Sequence, residues 1–193
     1  MQDDQLKKWE VTDSKYLVND RWMKLRAETC VTPDGHTITP FYVMEYGEWV
    51  NCVVLSEEGE VTLLRHYRHA ANEYVLEIVG GMVEEGETPE YTIGRELEEE
   101  VGLVGADLRA TGICYPNPQT HTNKLHCFIA IGGTFDGQLE DEAGANFIIQ
   151  KMPLKELMQK IESGEEMFQS LHLSSILFAL GYLKKHRPDL LPS

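Results

Sequence analysis

Positive charge is what this sequence is short of. Its 17 lysines and arginines stand against 32 aspartates and glutamates, for a net charge of −15. A chain so acidic argues against nonspecific nucleic-acid binding, which needs a basic surface. It also repels anionic small molecules, unless a metal cation or a local basic cluster compensates. Cysteine is scarce: Cys30, Cys52, Cys114 and Cys127, none in C-x-x-C spacing. That argues against a zinc site and predicts reduced thiols. Long apolar runs are missing too, and none approaches the roughly 18 residues of a membrane span. The opening MQDDQLKKWE lacks the apolar stretch of a signal peptide. The expectation is a cytoplasmic protein without membrane contact.

The rest of the composition is that of a soluble globular chain, 42% apolar and 25% charged over 193 residues. That length suits one sizeable domain, or one with a small appendage. Residues 1–21 are polar and weakly patterned. RWMKLRAETCV and TITPFYVMEY flank the turn chemistry of Pro33-Asp34-Gly35 and predict a β-hairpin. WVNCVVLS and VTLLRHY, around EEGE, predict a second. YVLEIVGG predicts a short buried strand ending in two glycines. KLHCFIAIGG and NFIIQKM predict two more strands; PLKELMQKIESG and LSSILFALGYLKKH predict helices. The irregular alternation of strands and helices favours an α+β chain or an α/β/α sandwich.

A further helix runs from Pro89 to about Val101, with Thr88 as N-cap, Pro89 in the first turn and Gly102 as the stop. Its far end is crowded with glutamates, where the helix dipole disfavours them. With Ile93 set as the origin and about 100° per residue, Leu97 falls at about 40° and Val101 at about 80°. On the same wheel Glu99 falls at about 240°, Glu96 at about 300° and Glu100 at about 340°, while Glu98, at about 140°, points elsewhere. Three carboxylates thus share one face beside the apolar stripe. Glu96 and Glu100, at i,i+4, repel by roughly 0.2–0.5 kcal/mol. A hard divalent cation would reverse that repulsion. Taken alone, such a run fits a solvated acidic face better than a cation site.

The flanking residues change that balance. Gly80-Gly81, the loop MVEEGET and the helix together read G-x5-E-x7-R-E-U-x-E-E-x-G-U, with U aliphatic. The positions are Gly81, Glu87, Arg95, Glu96, Leu97, Glu99, Glu100, Gly102 and Leu103. This resembles the Nudix box at every defined position. The resemblance implies an α/β/α sandwich around a mixed sheet. It also implies hydrolysis of a nucleoside diphosphate linked to another moiety. It makes Glu96, Glu99 and Glu100 metal ligands for Mg2+, or Mn2+ in its place, with Arg95 and Glu87 bracing the loop.

The likeness continues outside the box. LLRHYRHA and YVLEIVGGMVEEGE look like the ADP-ribose pyrophosphatase branch of the family. The likeness implies substrate-binding roles for Arg65, Arg68 and Glu77, a metal-binding carbonyl at Gly80, and a substrate-side proline at Pro118. Ile78-Val79 stands where the branch usually has Leu-Pro. The loop YPNPQTHTNK, with Gln119, Thr120 and Asn123, departs from the Pro-Gly and Glu common there, which leaves the sugar and base preference open. For Arg65 and His66 a solvent-facing strand position is as good a reading as an anion contact. His121 and His126 read as structural.

The branch implies a general base on the acidic loop LEDEAGAN. Glu142 is the best match, with Glu140, Asp141 and Glu99 as alternatives. It also implies that an N-terminal β-rich segment, residues 1–45, forms a homodimer ahead of a Nudix domain at 46–193. Trp22, Phe41, Tyr42, Tyr46 and Trp49 could stack on a base or simply fill a core. The expected activity is Mg2+-dependent cleavage of nucleoside diphosphate sugars, ADP-ribose first. The alternatives are a GDP-mannose or other sugar-nucleotide hydrolase, and a nucleotide sensor without turnover.

Overall fold

The computed structural model describes residues 6–136 and 147–192. The chain forms two compact units. One comprises the chain up to Gly47 together with Tyr115–Asn123; the other comprises Glu48–Cys114 and the chain from Lys124 onward.

The first unit is a three-stranded antiparallel sheet, β1 (Glu10–Asn19), β2 (Lys24–Val31) and β3 (Thr37–Glu45), in that order. β2 and β3 are the predicted hairpin around Pro33-Asp34-Gly35. β1 went unread in the polar N-terminus because it carries no alternation: all its residues but Val18 are exposed. Its pairing with β2, from Glu10 opposite Val31 to Asn19 opposite Lys24, makes it a strand. Arg26 ties the sheet internally by ion pairs to Glu28 and Glu45.

The second unit is built on a seven-stranded mixed sheet. Its strands are β4 (Trp49–Leu55), β5 (Glu60–Arg68), β6 (Glu73–Glu77), β7 (Val79–Met82), β9 (Asp107–Cys114), β10 (Leu125–Ile131) and β12 (Phe147–Pro153). The path is β12-β5-β4-β10-β9, with β6 on β5 and β7 on β4; only β4 and β10 run parallel. Two short strands, β8 (Leu103–Val104) and β11 (Thr134–Phe135), pair separately. The helices are α1 (Pro89–Val101), α2 (Leu154–Ser163) and α3 (Ser170–His186).

β4 shows why helices flank both faces. Val50, Cys52 and Val54 pack with Ile93, Leu97 and Val101 of α1. Val53 and Leu55 pack with Leu157 of α2 and with Ile176, Ala179 and Leu183 of α3. Alternate residues of a strand point to opposite faces, so an almost wholly apolar strand needs cover on both sides. The result is the expected sandwich.

Helix α1 matches its reading residue for residue. The Thr88 hydroxyl caps it by accepting from the Tyr91 N–H at 3.2 Å, and Gly102 ends it in left-handed backbone. Ile93, Leu97 and Val101 are buried and Glu98 is exposed. Each buried aliphatic contributes about 1.5–3 kcal/mol, well above the few tenths lost to neighbouring glutamates. Apolar packing therefore holds α1 in place whatever its charges do.

Candidate active site

Where β7 leaves the sheet toward α1, the backbone is bare. Gly80 and Gly81 pair with Asn51 and Val50 of β4. A Cβ on Gly81 would collide with the Glu96 carboxylate, and one on Gly80 with Asn51 Oδ1 and the Val50 carbonyl. At Gly80 the rigid Val50 carbonyl excludes any side chain, whereas at Gly81 a side chain would have to displace the Glu96 carboxylate. The double glycine brings the Glu96 carboxylate down onto the main chain, and the Gly80 N–H points at Glu100 Oε2, 3.3 Å away.

Arg95 sits among three of the acids. Its guanidinium reaches Glu87 at 3.3 Å, Glu96 at 3.1 Å and Glu99 at 2.7 Å. Glu87 also accepts from the Thr92 hydroxyl at 2.7 Å. That hydrogen bond, with the Arg95 contacts, holds the Glu87 carboxyl below its ordinary range. The loop before the helix is thereby clamped onto it, as the box resemblance implied.

Arg68 and Glu77 form the other wall. Glu77 is 2% exposed and receives a bidentate pair from Arg68, 2.7 and 2.6 Å. A fork of this kind fixes the guanidinium in direction as well as distance. His66 Nδ1 lies 3.4 Å from the same carboxylate. Burial and the Arg68 charge lower the His66 pKa, against the opposing pull of Glu77, so the ring favours its neutral form.

Glu100 lies between the walls. Burial, then the charge of Glu96, push its pKa up to about 8; Glu77 adds to the rise, while the Gly80 N–H and Arg68 oppose it. Five carboxylates, of Glu77, Glu87, Glu96, Glu99 and Glu100, thus face the guanidiniums of Arg68 and Arg95. Among the described residues no three acid, imidazole or thiol groups already converge as a closed cation cage. What the residues offer is crowded oxygen donors around bare backbone, short of positive charge. That donor set suits a hard divalent cation completed by water and substrate oxygens.

Of these groups, Arg68, Glu77 and Glu100 line a cavity of about 650 Å3, together with Gly80, Gly81 and residues of the α3 side. Asn51 is there, and so are Phe168, Gln169 and His172. His172 Nδ1 accepts the Ile78 N–H at 2.9 Å, between β6 and β7. Its Nε2 therefore carries the proton and donates to Gln169 Oε1 at 3.0 Å. None of Asn51, Gln169 and His172 was singled out from sequence. The two α3-side residues lie far along the chain from the box, but Asn51 left a signal: it is the one polar residue in the run WVNCVVL.

The remaining expectations fall as follows. Arg65 pairs with Glu166 at 2.8 Å and is not among the cavity-lining residues. Pro118 is exposed in the turn 117–120, in the first unit. His126 contacts Glu48 at 2.6 Å, and His121 packs edge-on against Tyr46, ring centroids 5.1 Å apart. Trp22 is exposed beneath the Arg21 guanidinium, and Phe41 meets Trp9 edge-on. Glu140, Asp141 and Glu142 lie outside the described residues.

Comparison with known proteins follows the same lines. The NUDIX domain family matches residues 45–172, and the nucleoside diphosphate sugar hydrolase N-terminal domain family matches residues 9–44. An ADP-ribose pyrophosphatase of Bacillus subtilis is 26% identical over 169 residues, covering 87% of this chain and 88% of that one. An ADP-sugar pyrophosphatase of Mus musculus is 23% identical, covering 91% and 87%. A crystal structure described as an ADP compounds hydrolase superposes with a TM-score of 0.81 at 18% identity, covering 94% of this chain and 97% of that one, and so shares its fold. With most of its length inside the first of these families, and its box intact, the chain belongs to the NUDIX family and is a Nudix hydrolase.

Proposed function

We propose that this Nudix hydrolase cleaves the diphosphate bond of nucleoside diphosphate sugars, ADP-ribose first, giving AMP and ribose 5-phosphate. The observation that carries the reading is the cavity where Glu100 and bare glycine backbone meet the Arg68–Glu77 fork, with the Glu96 carboxylate seated on Gly81 beside it. The names of the similar proteins and the N-terminal family match support it.

Glu96, Glu99 and Glu100, with the Gly80 carbonyl, would hold Mg2+, or Mn2+ in its place. The cation supplies charge neutralisation for the diphosphate and a lower pKa for water. The chain's own residues do the rest. Arg68, aimed by Glu77, meets the anionic phosphate oxygens; substrate contacts from Arg65 and Pro118 rest on the branch resemblance alone. Arg95 fixes Glu99 and, through Glu87, the loop. Glu142 takes the proton of the attacking water, with Glu140, Asp141 and Glu99 as the other acids for that role. One P–O bond forms to the water oxygen as the bond from phosphorus to the bridging oxygen breaks. Both products leave as phosphate monoesters.

Two copies would pair through the strands of residues 20–48; the chain divides into a dimerising N-terminal segment, 1–45, and a Nudix domain, 46–193. The exposed Trp22 and Tyr42 of the first unit support that pairing. Sedimentation should give a species near twice 22.0 kDa; a monomer alone at micromolar concentration would refute it. No helix among the described residues is long and apolar enough to cross a membrane, which supports a cytoplasmic setting, and the net charge of −15 supports a partner other than nucleic acid.

The test is product release from a panel of ADP-ribose, other ADP-sugars and GDP-mannose, with and without Mg2+. Preferred, Mg2+-dependent release of AMP from ADP-ribose is expected. Faster cleavage of GDP-mannose would shift the substrate. No cleavage of any panel member would sink the reading.

A further inference from the structure

Asn51 is a polar side chain in the wrong place for stability. It sits on β4 between Val50 and Cys52, is 5% exposed, and its amide nitrogen has no hydrogen-bond partner. An unsatisfied buried donor is destabilising, whereas an apolar residue of similar volume would cost nothing. Such groups are rare enough in folded proteins that each needs a reason.

Its position gives one. Asn51 stands opposite Gly80 on one side and Cys127 on the other. Cys127 accepts a hydrogen bond from Ser175 of α3, so this face of β4 is the one α3 covers. The amide thus borders the cavity on the α3 side, whereas Glu96 meets the main chain at Gly81, whose missing Cβ points to the α1 face. A second carboxamide lines the same side. Gln169 Oε1 is taken by the Nε2–H of His172, whose other ring nitrogen is taken by Ile78, and this fixes the Gln169 amide with its NH2 group unused by that contact. Trp49 and Phe168 supply aromatic surface in the cavity.

Two neutral amide donors beside aromatic rings are poorly suited to a phosphate, which Arg68 and a cation serve better. They suit neutral oxygen acceptors on a compact polar ring. We propose that Asn51 and Gln169 form a sugar-recognition subsite on the α3 side of the cavity. There Asn51 donates to a hydroxyl oxygen of the sugar that the diphosphate joins to the nucleoside. This rests on the proposed hydrolysis of nucleoside diphosphate sugars and adds which residues read the sugar.

The test uses Asn51→Leu and Gln169→Leu in the full chain. KM and kcat are measured for ADP-ribose with Mg2+, dissociation constants for ADP, which lacks the second sugar, and melting temperature without ligand. For Asn51→Leu, KM for ADP-ribose should rise about tenfold, the worth of one neutral hydrogen bond. ADP affinity should stay within about twofold, and melting should hold or rise as the orphaned donor disappears. Equal losses for ADP and ADP-ribose would overturn the assignment to the sugar. An unchanged KM with a lowered melting temperature would overturn it too, and would mean that Asn51 holds a structural water. If Asn51→Leu does not fold, Gln169→Leu, at an exposed position, decides by the same comparison. A wild type that cleaves no panel member sinks the proposed function itself, whereas a wild type that cleaves ADP-ribose as fast and as tightly as both variants sinks only the subsite.

Discussion

Acids gather at both ends of β4, and the two gatherings differ in kind. At its start, Glu77, Glu96 and Glu100 are wholly or partly buried around bare glycine backbone, and Glu77 and Glu100 share a cavity with Arg68. Past its end, Glu57, Glu58 and Asp107 border a smaller hollow beside Gly132 and Gly133. There Glu57 pairs with Arg187 at 2.8 Å and Asp107 with Arg109 at 2.7 Å, all on the surface. Composition makes both ends acidic; burial sets one of them apart. A surface ion pair is worth about 0–1 kcal/mol because water already solvates its charges. A buried carboxylate keeps its charge only with a partner, and where partners are too few its pKa climbs, as Glu100 shows.

Breaking the buried end should give the largest effect. Glu100→Gln should lower turnover by orders of magnitude and shift the Mg2+ concentration needed, because an oxygen ligand is lost with no change in volume. Chelating the divalent ion should do the same to the wild type. Above pH 8, where Glu100 is ionised, the apo variant should melt no lower than the wild type, since the substitution removes a crowded, desolvated charge. Steady-state rates across a Mg2+ titration, beside melting curves, check all three; turnover near that of the wild type would remove Glu100 from the site.

Next in size is the general base. Glu142→Gln should cut kcat by about 10²–10⁴-fold and leave KM nearly unchanged, because only the transition state needs the proton acceptor. Its Mg2+ dependence should match the wild type, which separates a base from a ligand. If Glu142→Gln keeps full kcat while Glu140→Gln or Asp141→Asn loses it, the role moves by one or two residues; if none loses it, Glu99 inherits it.

The comparison also separates what could be read in the sequence from what could not. Helix α1 was legible because its signals are local: Thr88, Pro89, the stripe of Ile93, Leu97 and Val101, and Gly102 follow one another closely along the chain. The box spacing made the glutamate face legible for the same reason. β1 and β9 went unread: β1 has no period-2 pattern and β9 alternates only over 107–111, too briefly to stand out; both exist by pairing with partners, β2 and β10. YVLEIVGG was read as one strand but divides at Ile78, whose N–H turns to His172, 94 positions away. The α3 side of the cavity was invisible for that reason. Its polar groups acquire meaning only when chain segments distant in sequence meet.

The Arg68–Glu77 fork probes stability at the buried end. Arg68→Met leaves Glu77 buried and without its guanidinium. Removing one member of a buried pair costs about 3–5 kcal/mol. Arg68 is 48% exposed, so water screens part of the loss and about 2 kcal/mol is expected. Denaturant unfolding measures it. Glu77→Gln/Arg68→Met should recover much of the loss, since no buried charge then remains.

His172 gives a pH-dependent effect of similar or smaller size. Burial lowers its pKa from 6.5 to about 4, the charge of Glu77 opposing. The folded state therefore favours the neutral ring, and its contribution is complete above pH 6.5. It is lost as pH falls toward 4, because the unfolded chain takes up the proton first. Between those limits the loss should reach about 1–3 kcal/mol. Unfolding free energies of wild type and His172→Gln, compared from pH 7 to pH 4, should converge across that window, since only the wild type carries the group that titrates there.

The smallest expected effect tests the contrast from its other side. Glu57→Gln should change stability by no more than about 0.5 kcal/mol. Glu57 is 57% exposed, and its partner Arg187 keeps a second carboxylate, Asp189, at 2.9 Å. No unpaired charge is left, and nothing is buried that was not buried before. Turnover and its Mg2+ dependence should stay those of the wild type, because the hollow past the end of β4 shares no residue with the cavity at its start. Melting curves and rates measured beside Glu100→Gln make the comparison direct. If Glu57→Gln lowers turnover as Glu100→Gln does, burial is not what separates the two acidic ends, and the chemistry assigned to one belongs to both.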